Sequence, residues 1–251
     1  MENRILNIKD NLKSFKECFK DFTDCYTVIG GTACFLLMEE AGLDFRLTKD
    51  IDMILILEDR KKEFTKTFWD YIISGHYTCG WKEKEVHYYR FTNPLPSYPS
   101  QIELFSKNEN FAVDQRIVPI HIGEDISSLS AIALDEDFYN FMMEGRKVID
   151  GVCVLNAEHI IPFKMFAWLN NKKEKEEGKN IGTKDISKHK NDIFRLYQLL
   201  NLDIKVKTFG NVKKAVSLFI EKMYTENVDQ TIIGKNKKEE ILNSLKKIYL
   251  D

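Results

Sequence analysis

Hydrophobic residues along this chain follow two spacings, and the change between them marks out its elements. Near the start, Leu6, Leu12, Phe15, Phe19 and Phe22 recur at intervals of three to six residues, which suits one face of an amphipathic helix over residues 4–20. "YTVIG" then reads as a short strand of β-branched and aromatic residues. "TACFLLMEEAG" consists of good helix formers and stops at Gly42. "DIDMILIL" is a strong strand, and "RKKEFTKTFWDYIIS" returns to helical spacing through Phe64, Phe68, Tyr71 and Ile72. "EVHYYRF" and "SQIELFS" alternate as strands on either side of the proline-rich loop "TNPLPSYPS". "RIVPIHI" reads as a further strand, placed at an edge by its proline. "RKVIDGVCVLN" reads as a hairpin turning at Asp150-Gly151, a favoured turn dipeptide.

Beyond about residue 156 only the helical spacing remains. Asn156 is placed to cap a helix running to Gly178, and Thr183 to cap a second, "TKDISKHKNDIFRLYQLL". Two more helices are expected near 210–226 and 236–249. The pattern predicts an α+β fold, with an α/β domain over 1–155 and a helical domain over 156–251.

Composition narrows the class. A chain of 251 residues with 43% apolar content can bury a substantial core. A formal net charge of −2 does not indicate a globally basic nucleic-acid binder. Cysteines 18, 25, 34, 79 and 153 form no C-x-x-C pair, so free thiols in a reducing compartment are expected, with no disulfide framework or zinc site. The first residues are charged throughout and lack the apolar core of a secretory signal, and no run approaches the ~20 apolar residues of a membrane span. A cytoplasmic protein without a membrane partner is expected.

The strand "DIDMIL" poses a chemical question. Side chains alternate along a strand, so Asp50 and Asp52 share one face while Ile51 and Met53 turn to the core. Two like charges so close must be well solvated or have a cation between them, and hard carboxylate oxygens suit Mg2+. The plain alternative is a solvent-exposed strand face. Upstream, Gly30-Gly31 falls where a strand hands over to a helix. Glycines there let backbone approach a ligand, and the free N–H groups of a helix start suit a phosphate. Thr32 adds a hydroxyl at the expected cap position. Glu103 in "QIELF" faces away from the core and would join the aspartates if its strand lies beside "DIDMIL".

In this order, the parts resemble the polymerase-beta-type nucleotidyltransferase fold, in which a Gly-Gly turn opens a helix and D-x-D lies on a strand of a mixed sheet. More narrowly, "IGGTA" followed by "DFRLTKDIDMIL" is similar to the first motif of the AbiEii/AbiGii toxin family. "FKMFAWL" and "KHKNDIFRL" are similar to its later ones. The resemblance implies that Asp50, Asp52 and Glu103 hold Mg2+ (or Mn2+), with an NTP as co-substrate. It implies site roles for Gly30, Gly31, Thr32, Arg46, Thr48, Lys164 and Asp192, with Arg195 close by. It further implies NMP transfer to RNA, such as the 3′ end of tRNA, and raises a cognate antitoxin protein as partner. The interval from Gly31 to Asp50 exceeds that usual in the fold, which suggests a longer helix after the glycines.

Several of these residues have plain alternatives. Lys164 either snorkels to solvent or sets a point charge on a phosphate. Asp192 could form an ordinary salt bridge with Lys188 or Arg195 at helical spacing. Arg46 could pair with Asp44 or Asp50, shape the loop, or touch a phosphate. Residues 172–190 hold seven lysines against four acids, either a solvated hairpin tip or a track for a phosphate backbone. A non-catalytic binding module of the same fold and a small-molecule nucleotidyltransferase acting on antibiotics are the competing functions.

Overall fold

A computed structural model describes residues 2–46, 48–57, 60–82, 85–107, 117–120 and 129–251. The front of the chain runs α1 (Glu2–Phe19), β1 (Tyr26–Ile29), α2 (Gly30–Glu40), β2 (Asp50–Leu55), α3 (Lys61–Ser74), β3 (Thr78–Lys82), β4 (Glu85–Thr92) and β5 (Gln101–Lys107). It continues through β6 (Ile117–Ile120), β7 (Leu129–Leu134), α4 (Glu136–Glu144), β8 (Arg146–Ile149) and β9 (Val152–Leu155). Then come α5 (Ala157–Glu176), α6 (Thr183–Leu196), α7 (Gly210–Met223), the short α8 (Gln230–Ile233) and α9 (Lys238–Tyr249). The architecture is α+β, as the pattern predicts, with a mixed sheet followed by helices.

The sheet order is β3-β4-β5-β2-β1-β9-β8, and β7 extends the far end of β5 and carries β6. The β2–β5, β5–β7 and β1–β9 pairs are parallel; the rest are antiparallel. The D-x-D strand thus lies inside the sheet, between β1 and β5. Strand β6 pairs only with β7 among the described residues, the edge place that Pro119 requires. Arg116, His121 and Ile122 of "RIVPIHI", and the Leu6 side chain, lie outside the described residues. The β8–β9 hairpin turns at Asp150 and Gly151, both at positive φ (47° and 76°), as a two-residue turn of this hand demands.

One face of the sheet packs on an aromatic cluster. Phe15 and Phe19 of α1 meet Tyr26 of β1 and Tyr71 of α3, and Phe19 also meets Phe64 and Phe68. Phe68 in turn packs on Phe91 of β4. Behind the sheet, α5 is the central helix: Trp168 stacks edge-on against Phe219 of α7, and Phe163 and Phe166 enclose Phe138 of α4. Asn156 caps α5 as expected, its side chain accepting from the His159 N–H.

Three elements lack a clear periodic signal. Strand β3 contains a glycine, β7 is built of Leu, Ser, Ala and Ile, and α4 is a single short aromatic helix. Helix α4 is bounded locally: Asp135 accepts from the N–H groups of Asp137 and Phe138, and Gly145 follows the last turn. Two expected caps are corrected. Helix α2 begins at Gly30 with Ile29 as its N-cap, so Thr32 lies inside the first turn. Helix α6 is preceded by Gly182, so Thr183 is its first residue and no side chain caps it. The long interval before Asp50 is filled by α2 together with the connection over 41–49, which carries Arg46 and Thr48. Among the described residues no helix is long and apolar enough to cross a membrane.

Phe19 is fully buried and touches five other rings of the cluster that joins α1 and α3 to the sheet. Replacing it with alanine should lower unfolding free energy by about 3–5 kcal/mol. Ile73→Ala, at a residue 68% exposed, should stay within about 0.5 kcal/mol. Urea denaturation of both variants checks the contrast.

Candidate active site

The carboxylate face of the sheet is set by register. Asp52 pairs with Glu103, and Asp50 with Gln101, across the parallel β2–β5 ladder. Neighbouring strands lie about 4.8 Å apart, so the Asp52 and Glu103 side chains rise side by side. On β2 the burial alternates as expected, Ile51 and Met53 being buried and Asp50 and Asp52 half-buried. The three carboxylates inferred from alternation therefore share one face.

The glycines sit directly against this face. Gly30 has φ +70°, and a Cβ there would lie 1.9 Å from Asp52 Oδ2. At Gly31 a Cβ would lie 2.8 Å from Thr48 Oγ1 and 3.2 Å from an Arg46 guanidinium nitrogen. Their missing side chains thus admit Asp52, Thr48 and Arg46 to the start of α2, which is more specific than room for a ligand. Thr32 ties the same turn to the strand, its hydroxyl donating to the Asp50 carbonyl oxygen at 2.5 Å.

A second charged node lies in the helical region. Asp192 on α6 is fully buried and accepts from Arg46 Nε at 2.9 Å and from a terminal Arg46 nitrogen at 2.7 Å. Lys164 on α5, also buried, donates to Asp192 Oδ2 at 3.0 Å. Arg195 stands 3.9 Å away. Burial alone would push the Asp192 carboxyl up, but the Arg46 hydrogen bonds and the Lys164 charge outweigh it and hold the group below its ordinary value. Two alternatives are corrected: Lys164 does not snorkel, and Arg46 pairs with Asp192 instead of Asp44 or Asp50. The helical salt bridge of Asp192 with Arg195 is present, and Asp192 reaches beyond its own helix as well.

The two nodes differ in balance. Asp52 is pushed up to about 6 by burial, by the Glu103 charge and by Asp50, with Lys164 and Lys188 opposing. Its negative charge is under-compensated. Among the described residues no three or more His, Cys, Asp or Glu are gathered closely enough to hold a metal ion by themselves. Mg2+, however, usually takes one or two carboxylates and completes its shell with water and phosphate oxygens. Asp50, Asp52 and Glu103 offer the oxygen donors such an ion takes, on a face where the Asp52 charge is under-compensated.

Three residues near the site carried no role in the sequence pattern. Lys188 is exposed on α6 and acts electrostatically on Asp52. Its one signal was its place one helical turn before Asp192. His189 has a buried Nδ1 without a hydrogen-bond partner, and burial holds its pKa down at about 4, so the ring is neutral near pH 7. Arg90 on β4 is ion-paired with Glu103. In the lysine-rich 172–190 segment, Lys172 and Lys190 both engage Glu226, and Lys179 engages Glu174. Lys173, Lys175, Lys184 and Lys188 remain on the surface.

No family model matches the sequence, and no curated protein matches it. Solved structures of similar outline include JHP933 from Helicobacter pylori, at 15% identity over 98% of this chain and 89% of that one, with a TM-score of 0.42. The antibiotic-resistance factor ANT(2'')-Ia aligns at 13% identity over 89% of this chain and 94% of that one, with a TM-score of 0.38. The Megavirus polyadenylate synthase aligns at 11% identity over 98% of this chain and 49% of that one, with a TM-score of 0.33. At identities and TM-scores this low, the functional reading rests on the residues of this chain.

Proposed function

We propose that this chain is a metal-dependent nucleotidyltransferase that moves an NMP from an NTP to an acceptor hydroxyl. One observation carries the reading: Asp52 and Glu103 are register partners on adjacent parallel strands, with Asp50 on the same face and the Gly30-Gly31 helix start packed against them. A buried carboxylate surplus costs stability unless something positive occupies it. A polymerase-beta-type arrangement explains why the chain keeps one.

Asp50, Asp52 and Glu103 would hold Mg2+ or Mn2+, which neutralises the triphosphate and activates the attacking hydroxyl for in-line displacement. The remaining work falls to side chains and backbone. The free N–H groups at the start of α2 favour a phosphate beside Asp52. Arg46 and Lys164, locked on Asp192, are fixed cations that lose little on binding because they are already ordered. Lys188, exposed and near Asp52, is the movable cation of the set. The acceptor is read as RNA, toxin-like, on the resemblance of the first motif to AbiEii/AbiGii proteins. The exposed lysines of the α5–α6 turn support it.

Incubation with each labelled NTP, Mg2+, total RNA and cell extract identifies the acceptor from the labelled product. Asp50→Asn and Asp52→Asn should each lower NMP transfer by about 100-fold or more while the chain still folds. Transfer retained by both variants would overturn the mechanism.

Stability should move the opposite way to activity. The Asp52 carboxyl titrates near 6 in the folded chain against an ordinary 3.8, so between those values the folded form holds a proton the unfolded form has lost. Stability therefore falls as pH rises through that window. Asp52→Asn, which mimics the protonated side chain, should be more stable than the wild type by about 1–3 kcal/mol near pH 8, with the gap closing below about pH 4. Metal-free urea melts at the two pH values read this directly, and an equal difference at both excludes it.

Asp192→Asn should do the reverse, costing about 3–5 kcal/mol, because it leaves Lys164 and Arg46 desolvated without a counter-charge. Denaturation midpoints of the variant and of Asp192→Glu, which keeps the charge, separate loss of charge from loss of fit.

A further inference from the structure

Arg90 lies where the β3–β4 pairing loses its register. Cys79 pairs with Phe91 and Gly80 with His87, so residues 88–90 have no partner on β3. Such irregularities bend a strand and re-aim its side chains. On its other edge the strand is regular: Arg90 is the register partner of Glu103, as Glu103 is of Asp52. Asp52, Glu103 and Arg90 therefore form one row across β2, β5 and β4, and Arg90 Nε donates to Glu103 Oε1. The Glu103 side chain is only 13% exposed, whereas that of Arg90 is 50% exposed.

We propose that Arg90 is the resident counter-cation of the third carboxylate, a positioning residue that occupies Glu103 in the metal-free site and gives it up to a divalent cation. This rests on the metal-dependent reading above. Arg90 cannot lose its charge by deprotonation, so it competes for the Glu103 carboxylate wherever that carboxylate is ionised. Its half-exposed guanidinium can turn to water at small cost, since exposed ion pairs are weak. The buried Lys164 has no such exit. The row is thus built with one fixed end, Asp52, and one releasable end, Arg90. The freed guanidinium would stay on the carboxylate face, where its planar fork suits a phosphate.

The test is calorimetric titration of the whole chain with Mn2+, without nucleotide. Arg90→Gln should bind Mn2+ about two- to fivefold more tightly than the wild type, whereas Arg90→Lys, which keeps the charge, should stay nearer to it. In a Glu103→Gln background the Arg90→Gln gain should vanish, because nothing remains for Arg90 to guard. Mn2+ binding that is unchanged or weaker in Arg90→Gln, or a gain that persists without the Glu103 carboxylate, overturns the role of Arg90 and leaves the metal reading standing. Binding of Mn2+ by neither the wild type nor Arg90→Gln, even with a non-hydrolysable NTP present, overturns both.

Discussion

The register of β2 against β5 is the constraint on which the site depends. Slipping that ladder by one residue would send Asp52 and Glu103 to opposite faces and bury one of them among Ile51, Met53, Ile102 and Leu104. The apolar residues on the other face oppose the slip, because Ile51, Met53, Ile102 and Leu104 share one buried core with the aromatic residues of α1 and α3. The hydrophobic face thus enforces a repulsion on the polar face. Two carboxylates that would separate in solution are held side by side by residues with no chemical role of their own.

The chain handles buried negative charge in two different ways. Asp192 is fully enclosed and carries three hydrogen bonds from two cations, so its charge is satisfied and its carboxyl is held down. Asp52 is less enclosed, has Glu103 beside it, and is held up. An ion pair like the first is a structural solution whose removal costs more than its presence gains. An unbalanced carboxylate like the second is tolerated where it does work, since strain and frustration persist mainly at functional sites. On the proposed reading, the contrast separates a clamp from a binding position.

Much of this was legible in the sequence because it is local. Alternation in "DIDMIL" and "QIELF" assigned the faces of Asp50, Asp52 and Glu103, while Asp150-Gly151 and Asn156 announced a hairpin and a cap through the chemistry of their own backbone neighbourhoods. What local pattern cannot carry is a pairing between distant residues. Arg46 and Asp192 are 146 positions apart, and nothing near either one distinguishes this bond from the nearer salt bridges open to it. The misplaced caps at Thr32 and Thr183 follow from the same limit. Either hydroxyl suits a cap, but the strand carbonyl above Thr32 and the Lys175 ammonium beside Thr183 engage them instead. Strands β3 and β7 escaped because they are ordered by the strands they join, with little propensity of their own.

Arg46 links the two charged nodes, and this changes how the helical region should be regarded. Its connection leaves the far end of α2 and returns into β2 at Asp50, so it runs back along the helix toward the carboxylates. In between, its guanidinium reaches Asp192 on α6 while lying against Gly31 at the start of α2. A side chain at Gly31 would therefore push on the helical region as well as on the site. Lys164 completes the circuit, bound to Asp192 yet near enough to Asp52 to oppose its rise in pKa. The electrostatic balance at the carboxylate face is thus set partly by residues more than 100 positions downstream in the sequence. Lys164 on α5 and Lys188 on α6 are the cations that oppose that rise, so the charge balance of the sheet face belongs to the helices as much as to the strands.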